Sequence, residues 1–444
     1  MPLPAAEPAG TEAAHLPFDE RPRHMQFAYG TIELFMRLVM HAATSLRGGS
    51  AVLEIFQGLV GLERTPSANA GQLWLLRIGL YEIKRPKEKA DDWVWIVDHT
   101  VQIGQVKCLL VVGCRLRVWQ ADPRPLEHRD LQVLALEPVL ESTGAIVDTQ
   151  LEALVSVTGV PRQIVSDQGG DVKSGGTLFC QKHEETAQVG DIAHQTALFV
   201  KHELEADERW SSFVSAQGHA KAKLQQTALA HLTPPSLKSK ARYMNLEELV
   251  AWGQNTRAYL DAPVKVESPA VAPEVFEEKL GWLRQYDAAL AEWGGVMEVV
   301  STTRSYVRKH GYHAQAEREL APLLPPATDT SMRGRIARES LAFVARESAK
   351  AKPGERLIGS SEILESLIGK GKRLEGQQSK GGFTKMVLAM AAVVVAPTKE
   401  YLASAFEQVK VKDVYAWCQT KLGQSLQALR RKALAPKTAG TNAG

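Results

Sequence analysis

The chain has 444 residues, of which 44% are hydrophobic and 23% are charged, and its formal net charge at pH 7 is +3. The length allows two or three domains with buried cores, and the composition is that of an ordinary globular protein. The charge is too balanced to indicate a nucleic-acid-binding protein by itself, and the longest apolar run, 386–396, is too short to span a bilayer. The four cysteines show neither a disulfide framework nor a metal-binding pair, which favours a reducing, cytoplasmic setting.

The positive charge is concentrated in a few short basic clusters. They lie at 221–223, 238–242, 370–373 and 430–432. Such a run is more often a solvated helix face than a contact with phosphate, so both interpretations stay open at this point.

Residues 25–84 follow a tail over 1–24 that we predict to be disordered, and their apolar spacing is helical. It predicts a helix over 27–40, a second helix that begins near Ser45 or Ser50, and a third that begins at Pro66 and Ser67. Two short helices, a tight connection and a third helix are typical of a helix-turn-helix DNA-binding unit. A plain helical bundle is the alternative.

Residues 91–206 have the pattern of a mixed sheet covered by helices, because three strands are followed by a helix and a fourth strand. The predicted strands are 93–98, 107–116, 131–136 and 162–167, with a helix over 143–159, a short strand near 188–191 and a helix over 192–206. The pattern then becomes helical over 207–355, with one long helix predicted over 274–310. Further helices are predicted over 356–434, before a disordered tail at 435–444.

Two of the predicted strands end on an acid. The apolar run 93–97 leads directly into Asp98, and the fourth strand leads into Asp167. A single acid at such a position is usually a helix cap or a turn former. Two acids on neighbouring strands instead indicate a shared divalent cation, because Mg²⁺ prefers carboxylate oxygens. Two ions about 3.5–4 Å apart can promote phosphoryl transfer, and such a site usually needs a third acid.

The order of strands, helix and acids resembles the RNase H-like core of DDE transposases and retroviral integrases. The resemblance implies a third acid on a later helix, often with a basic residue seven positions further on. Glu203 lies at the compact spacing found in integrases, but Trp210 stands where the basic residue would be. Glu365 has Lys372 seven positions later, and Glu362 is a further alternative.

The segment "DIAHQTALFVK" is similar to a signature of Mutator-like and some bacterial insertion-sequence transposases. Asp191 and His194 occupy its acid and histidine positions, and these relatives carry a large helical insertion before the third acid. The blocks "RPKEKADDWVWIVDHTVQIGQVKCLLVVG" and "KARYMNLEELVAWG" also resemble bacterial transposases. This layout favours Glu365, although Gly369 and Gly371 leave open whether its helix continues as far as Lys372.

The resemblance implies an α/β fold with an RNase H-like core, an N-terminal helix-turn-helix and a large all-α insertion. The implied domains are 25–90 for DNA binding, 91–206 and 356–434 for the catalytic core, and 207–355 for the insertion. The implied activity is metal-dependent cleavage at transposon ends and strand transfer into target DNA, with two Mg²⁺ or Mn²⁺ ions held by Asp98, Asp167 and Glu365.

The implied partners are terminal inverted repeats, target DNA and a second copy of the chain, in a bacterial cytoplasm on the nucleoid. The residues expected to contact DNA are Lys370, Lys372, Arg373, Arg64, Gln72 and Arg77, while Asp191 and His194 are expected to support the site. Two alternatives stay open: a nuclease on the same fold without strand transfer, and a non-catalytic DNA-binding protein derived from a transposase. Asp171 is a turn former or an alternative to Asp167.

Overall fold

Five strands form one mixed sheet in a computed structural model of the chain. The model describes residues 20–59, 61–101, 106–167, 169–237, 243, 246–261, 273–376 and 383–435. The strands are β1 (Trp93–Val101), β2 (Lys107–Arg115), β3 (Gln132–Val139), β4 (Gln163–Ser166) and β5 (Ala187–Gly190). Their spatial order is β3-β2-β1-β4-β5, with β1, β2 and β3 antiparallel and β1, β4 and β5 parallel. The predicted mixed sheet is therefore confirmed, with each strand within a few residues of its predicted place.

The other described elements are helices. They are α1 (Tyr29–Met40), α2 (Leu46–Ile55), α3 (Ala68–Lys84), α4 (Leu116–Ala121), α5 (Gly144–Thr158), α6 (Gly170–Lys182), α7 (Ile192–Glu205), α8 (Glu208–Leu224), α9 (Glu247–Asp261), α10 (Pro273–Leu280), α11 (Asp287–His310), α12 (Ala316–Leu320), α13 (Met332–Ser348), α14 (Glu362–Glu375), α15 (Leu388–Ala392), α16 (Lys399–Gln408), α17 (Val411–Leu422) and α18 (Leu426–Ala433). None of the described helices is both long and apolar enough to cross a membrane. The tails 1–19 and 436–444 and the basic cluster 238–242 lie outside the described residues.

The sheet is the middle layer of the core, because helices cover both of its faces. Along β1, Trp93, Trp95 and Val97 point to the face that α5 and α6 cover. Val94 and Ile96 point to the opposite face, where they join a larger apolar cluster with the other helices. Side chains alternate along a strand, so the residue after Val97 lies on this second face. The face of the sheet on which an acid lies is thus set by its position in the strand.

Helix α3 is central rather than peripheral. Its residues from Trp74 to Glu82 are all buried, and α15, α16 and α17 pack against it. Gly79 permits this packing, because a Cβ there would lie 2.0 Å from the carbonyl oxygen of Leu388. The recognition helix of a helix-turn-helix unit must be exposed to enter the major groove. Only residues near the two ends of α3 are exposed, and α15, α16 and α17 pack against the helix.

The prediction of one long helix over 274–310 is wrong. Instead, α10 ends at Leu280, a tight 3-10 turn covers Gly281–Tyr286, and α11 begins at Asp287. Glycine is a poor helix former, and the break begins at Gly281. The rings of Trp282 and Tyr286 then pack on Phe213 of α8, with ring centroids 5.8 and 5.3 Å away. The leucine spacing continues across the break and therefore did not reveal it.

Helix α6 was not predicted, because it is rich in glycine. One of these glycines lets it pack closely on α5: a Cβ on Gly175 would lie 2.5 Å from the Cβ of Val147. A glycine that lowers helix propensity is thus the residue that allows the close contact. The division of the chain into domains stays a prediction.

Candidate active site

Asp98 and Asp167 lie on two neighbouring interior strands of the sheet, at corresponding positions. Their strands, β1 and β4, are parallel neighbours, and Val97 pairs with Ser166, so the next residue on each strand is an acid. Asp98 follows the buried run of β1, and Asp167 is the first residue after β4. Because Val97 and Ile164 face α5 and α6 while Val165 faces the other way, both acids lie on the second face. The prediction that the two acid-bearing strands are neighbours is confirmed.

Asp167 is close enough to Asp98 for its charge to disturb the ionisation of Asp98. Burial, together with the charge of Asp167, raises the pKa of Asp98 to about 7. The backbone N–H of His99, 2.6 Å from Oδ1 of Asp98, opposes this rise. Asp167 accepts a hydrogen bond from the N–H of Gly169 at 3.1 Å. In the described part of the chain, no lysine or arginine forms an ion pair with either carboxylate, and the positive charge that acts against the raised pKa of Asp98 is that of His194.

Glu365 reaches the same place from a part of the chain far away in sequence. It lies in the first turn of α14, a helix that packs against β1. Its charge contributes to the raised pKa of Asp98, while burial raises the pKa of Glu365 itself. The structure therefore brings Asp98, Asp167 and Glu365 together on one face of the sheet.

His194 and Asp191 connect this cluster to α7. The Nε2 atom of His194 lies 3.5 Å from Oε1 of Glu365, and its Nδ1 lies 3.8 Å from Oδ1 of Asp191. Although burial lowers the pKa of His194, the carboxylates of Asp191, Glu365 and Asp167 outweigh it and raise the pKa to about 9. A protonated imidazolium is therefore the cation nearest to the acids in the described residues.

Asp191 is fully buried and ties the beginnings of two helices together. As the N-cap of α7, it accepts a hydrogen bond from the N–H of His194 at 2.9 Å. Its other oxygen accepts short hydrogen bonds from both the N–H and the hydroxyl of Ser361, the N-cap of α14. Burial by itself raises the pKa of Asp191, but these donors and His194 lower it overall. The acid-x-x-histidine motif thus positions the helix that carries Glu365.

The two alternative third acids are held elsewhere by arginines. Both oxygens of Glu203 accept hydrogen bonds from Arg335 of α13, at 2.8 and 2.6 Å. Glu362 accepts from Arg304 at 2.8 Å and also from Arg308. Glu365 has no such arginine partner among the described residues, and it is the one placed beside the two aspartates.

The basic residues predicted on α14 lie on the helix that carries Glu365. The helix runs unbroken through both glycines to Glu375, because Gly371 lets Met390 pack closely against it. Lys372 and Arg373 are exposed, and Lys370 is partly buried. The basic clusters 221–223 and 430–432 lie on α8 and α18.

The residues predicted to contact DNA from the N-terminal helices differ in placement. Arg64 is exposed, with a hydrogen bond of 3.2 Å to Gln26, and Gln72 is half-buried. Arg77, in contrast, is buried, and its guanidinium donates to the carbonyl oxygens of Phe406 and Val409, each at 2.7 Å. This guanidinium is therefore used inside the protein rather than presented to DNA.

A second polar cluster lies on the other face of the sheet. Oδ2 of Asp171 is 3.2 Å from Nζ of Lys107 and 3.6 Å from Nδ1 of His99, and Nε2 of His99 is 3.2 Å from the hydroxyl of Ser142. The carboxylate of Asp171 thus contacts Lys107 and His99 on this other face of the sheet, and it is not placed as a substitute for Asp167. Sequence reasoning missed Ser361 and Arg304, since nothing near either residue marks a partner so far away in sequence.

The donor set suits a hard divalent cation, which prefers carboxylate oxygens. Asp98 and Asp167 supply two such groups without a lysine or arginine partner among the described residues, and Glu365 would complete the set by turning from His194 toward them. Among the described residues, no group of three or more His, Cys, Asp or Glu side chains is already arranged to hold a metal ion. The site is therefore a fixed pair of acids with a third within reach.

Comparisons with known proteins add little to this geometry. No protein-family model matches the sequence, and neither does any curated protein. Among solved structures, the chain is similar to a chain of the Drosophila P element transposase strand transfer complex, with a TM-score of 0.42 and 12% sequence identity over 86% of this chain and 94% of that chain. A likeness of this degree does not indicate a function.

Proposed function

We propose that the chain is a DNA transposase that cuts transposon ends and joins them to target DNA at Asp98, Asp167 and Glu365. The observation that carries the proposal is the meeting of these three acids on one face of a mixed sheet. They come from β1, from the end of β4 and from α14, and in the described chain none of them forms an ion pair with a lysine or arginine. The order of the elements is the one expected for an RNase H-like core.

Asp98 and Asp167 would be fixed metal ligands, and Glu365 would be an adjustable one. When bound, two Mg²⁺ or Mn²⁺ ions would supply the activation of water or a 3′-hydroxyl and the stabilisation of the leaving oxygen. Asp98 lies within β1, Asp167 directly follows β4, and the two buried strands give the site its rigid side. Glu365 lies on a helix whose start is fixed by the bonds between Asp191 and Ser361.

The DNA would lie along the exposed basic residues that follow Glu365. Lys372 and Arg373 would contact phosphates of the transposon end, and Arg64 and Gln72 remain candidates for contacts from the N-terminal helices. Arg77 is left out of this set because its guanidinium is buried. We propose that two copies of the chain act together on paired ends.

The test is cleavage and joining of DNA that carries the inverted repeats flanking the gene, in the presence of Mn²⁺. Asp98→Asn, Asp167→Asn and Glu365→Gln should each lower the rate by about a thousandfold or more, because each removes a charged ligand of the metal ions. Glu203→Gln is the matched control and should retain cleavage.

Different failures of this test have different meanings. If Glu203→Gln alone were inactive, the choice of Glu365 would be wrong. Cleavage without joining of the 3′-hydroxyl end would favour the nuclease. Retained activity of Asp98→Asn would favour the non-catalytic DNA-binding protein and would contradict the proposal.

A further inference from the structure

Two adjoining cavities form a groove along the side of α14, which we call the α14 groove. The larger has a volume of about 600 Å³ and lies between Lys370, His128, His41 and the segment 393–397. The smaller has a volume of about 280 Å³ and lies at the beginning of α14. Leu126 and Ile363 line both cavities, so the two are neighbours on one surface.

The groove runs beside Glu365. Successive residues of a helix are about 100° apart, so Glu362, Ser366 and Lys370 form one stripe along α14. All three line the groove. Glu365 lies on the flank of the same stripe, where it faces Asp98 and His194. A ligand in the groove would therefore pass next to the proposed catalytic acids.

Lys370 gives the α14 groove a positive charge that no described carboxylate offsets. Two arginines at the larger cavity are already paired, Arg37 with Glu33 at 2.7 Å and Arg129 with Glu127 at 2.8 Å. In the described chain, Lys370 has no carboxylate within 4 Å, and its Nζ lies 2.9 Å from Nδ1 of His128. An ammonium group has no acceptor, so Lys370 donates this bond and the ring proton of His128 is on Nε2. That Nε2–H is a buried donor without a described acceptor.

The ionisation of the three groups agrees with an excess of positive charge. Burial and the charge of Arg373 lower the pKa of Lys370. Burial, Lys370 and His41 lower the pKa of His128, and burial, Arg37 and Lys370 lower that of His41. Nearby positive charge disfavours a further proton, and for the same reason it favours an anion.

We propose that the α14 groove binds the sugar-phosphate backbone of the DNA strand that reacts at Asp98, Asp167 and Glu365, with Lys370 and His128 as its phosphate contacts. This inference rests on the proposed function for the identity of the reacting strand. From Glu362 to Lys370 the helix rises about 12 Å, at 1.5 Å per residue. A DNA strand advances about 3.4 Å per nucleotide, so the groove is long enough for about three nucleotides rather than for a single phosphate.

The test is the salt dependence of DNA binding, which needs no cleavage. Binding of a fluorescein-labelled 30-base-pair duplex by the full chain would be measured by anisotropy from about 50 to 300 mM NaCl. Lys370→Ala should weaken binding about five- to tenfold and lower the magnitude of the slope of log K against log salt by about 0.9. The double variant Lys370→Ala/His128→Ala should bind more weakly still, while Lys370→Arg should keep the wild-type slope.

The controls separate this proposal from the proposed function. Lys89→Ala changes an exposed lysine at the opposite end of β1 from Asp98 and should bind like the wild type. Glu365→Gln should lose cleavage but retain DNA binding, so the failure of either proposal is visible without the other. A wild-type slope in the folded Lys370→Ala and double variants would overturn the groove proposal. The groove proposal would also be overturned if competition by millimolar phosphate or dAMP depended on Lys370 while binding of the duplex did not depend on Lys370.

Discussion

The surroundings of Asp98 favour the protonated, uncharged form of its carboxyl group in the metal-free protein. Burial and the charge of Asp167 raise its pKa to about 7, so below that pH the group is mostly protonated. A coordinating carboxylate must lose its proton, and a proton therefore competes with the metal. The affinity for Mn²⁺ should rise from about pH 6 to about pH 8, most steeply below pH 7.

Isothermal titration calorimetry with MnCl₂ at several pH values would measure this dependence. Asp98→Asn should bind Mn²⁺ weakly at every pH, because the amide cannot supply the charge. An affinity of the wild type that does not change between about pH 6 and 8 would contradict the assignment of Asp98 as a ligand.

Ser361 matters at the same scale because it satisfies a buried charge. Its N–H and hydroxyl both donate to Asp191, 170 positions earlier in the chain. A hydrogen bond to a charged group contributes about 1.5–3 kcal/mol, so Ser361→Ala should lower the free energy of unfolding by about that amount. Urea denaturation would measure it, with Ser366→Ala, an exposed serine on the same helix, as the control. Equal midpoints for the two variants would contradict the role of Ser361.

At the scale of elements, α3 and α16 are held together by a charge at a helix end. Arg77 of α3 donates to two carbonyl oxygens at the end of α16 and lies over the ring of Phe406, 4.4 Å from its centroid. Orphan carbonyls and the helix dipole both favour a cation at a C-terminus. Arg77→Met should therefore lower the free energy of unfolding by about 2–4 kcal/mol, with little change in DNA affinity.

Thermal unfolding and anisotropy on the two arginine variants would separate a structural role from a DNA contact. Arg64→Ala removes an exposed arginine of the same predicted set and should leave stability nearly unchanged. A change of DNA sequence preference in Arg77→Met at full stability would instead support a recognition helix.

Helix α14 contains two glycines with opposite expected responses to alanine. A Cβ on Gly371 would lie 2.2 Å from Cγ of Met390, whereas nothing lies within 4 Å of a Cβ on Gly369. Gly369→Ala should raise the free energy of unfolding by up to about 1 kcal/mol through helix propensity. Gly371→Ala should lower it by about 1–3 kcal/mol through overpacking. Chemical denaturation of the pair would show it, and equal effects would mean that α14 does not pack closely on α15.

At the scale of the whole molecule, Glu82 joins distant parts of the chain. It lies on α3 and accepts hydrogen bonds from Lys87 at 2.9 Å, from the N–H of Val133 on β3 at 3.2 Å and from the hydroxyl of Tyr401 on α16 at 2.8 Å. Burial lowers the pKa of Lys87 to about 8 although Glu82 opposes this. Glu82→Gln would leave Lys87 buried without its counter-charge and should cost about 3–5 kcal/mol of stability.

Differential scanning calorimetry would test the effect of Glu82→Gln on the whole chain. The double variant Glu82→Gln/Lys87→Met removes both charges of this pair and should recover part of the loss, while Arg85, which also pairs with Glu82, stays without a carboxylate in both variants. If the double variant were no more stable than Glu82→Gln, the ion pair would not be the cause.

The sequence predicted the parts of the molecule that local patterns determine. The apolar run of β1 with the acid that follows it, the acid after β4, and the Asp191 motif are all recognised from residues that are close in sequence. The same reasoning selected Glu365 from its distance to Lys372; in the structure its charge acts on Asp98, and its role as the third acid stays a prediction.

The rest depended on contacts that only folding creates. Nothing near Arg77 shows that α16 ends beside it, so an arginine on a helix was interpreted as a DNA contact. The glycines of α6 concealed a helix because the close packing on α5 outweighs their low propensity. The leucine spacing over 274–310 likewise continued through a turn that aromatic packing imposes.

The position of Glu365 so late in the chain has a consequence for incomplete copies of the protein. Translation would release Asp98, Asp167 and the whole five-stranded sheet well before α14 is made. A product that stops before Ser361 would contain both aspartates but neither the third acid nor the partner of Asp191. Frameshifted or truncated copies should therefore be unable to cut DNA, and a nascent chain should remain harmless to the chromosome until its last quarter has folded.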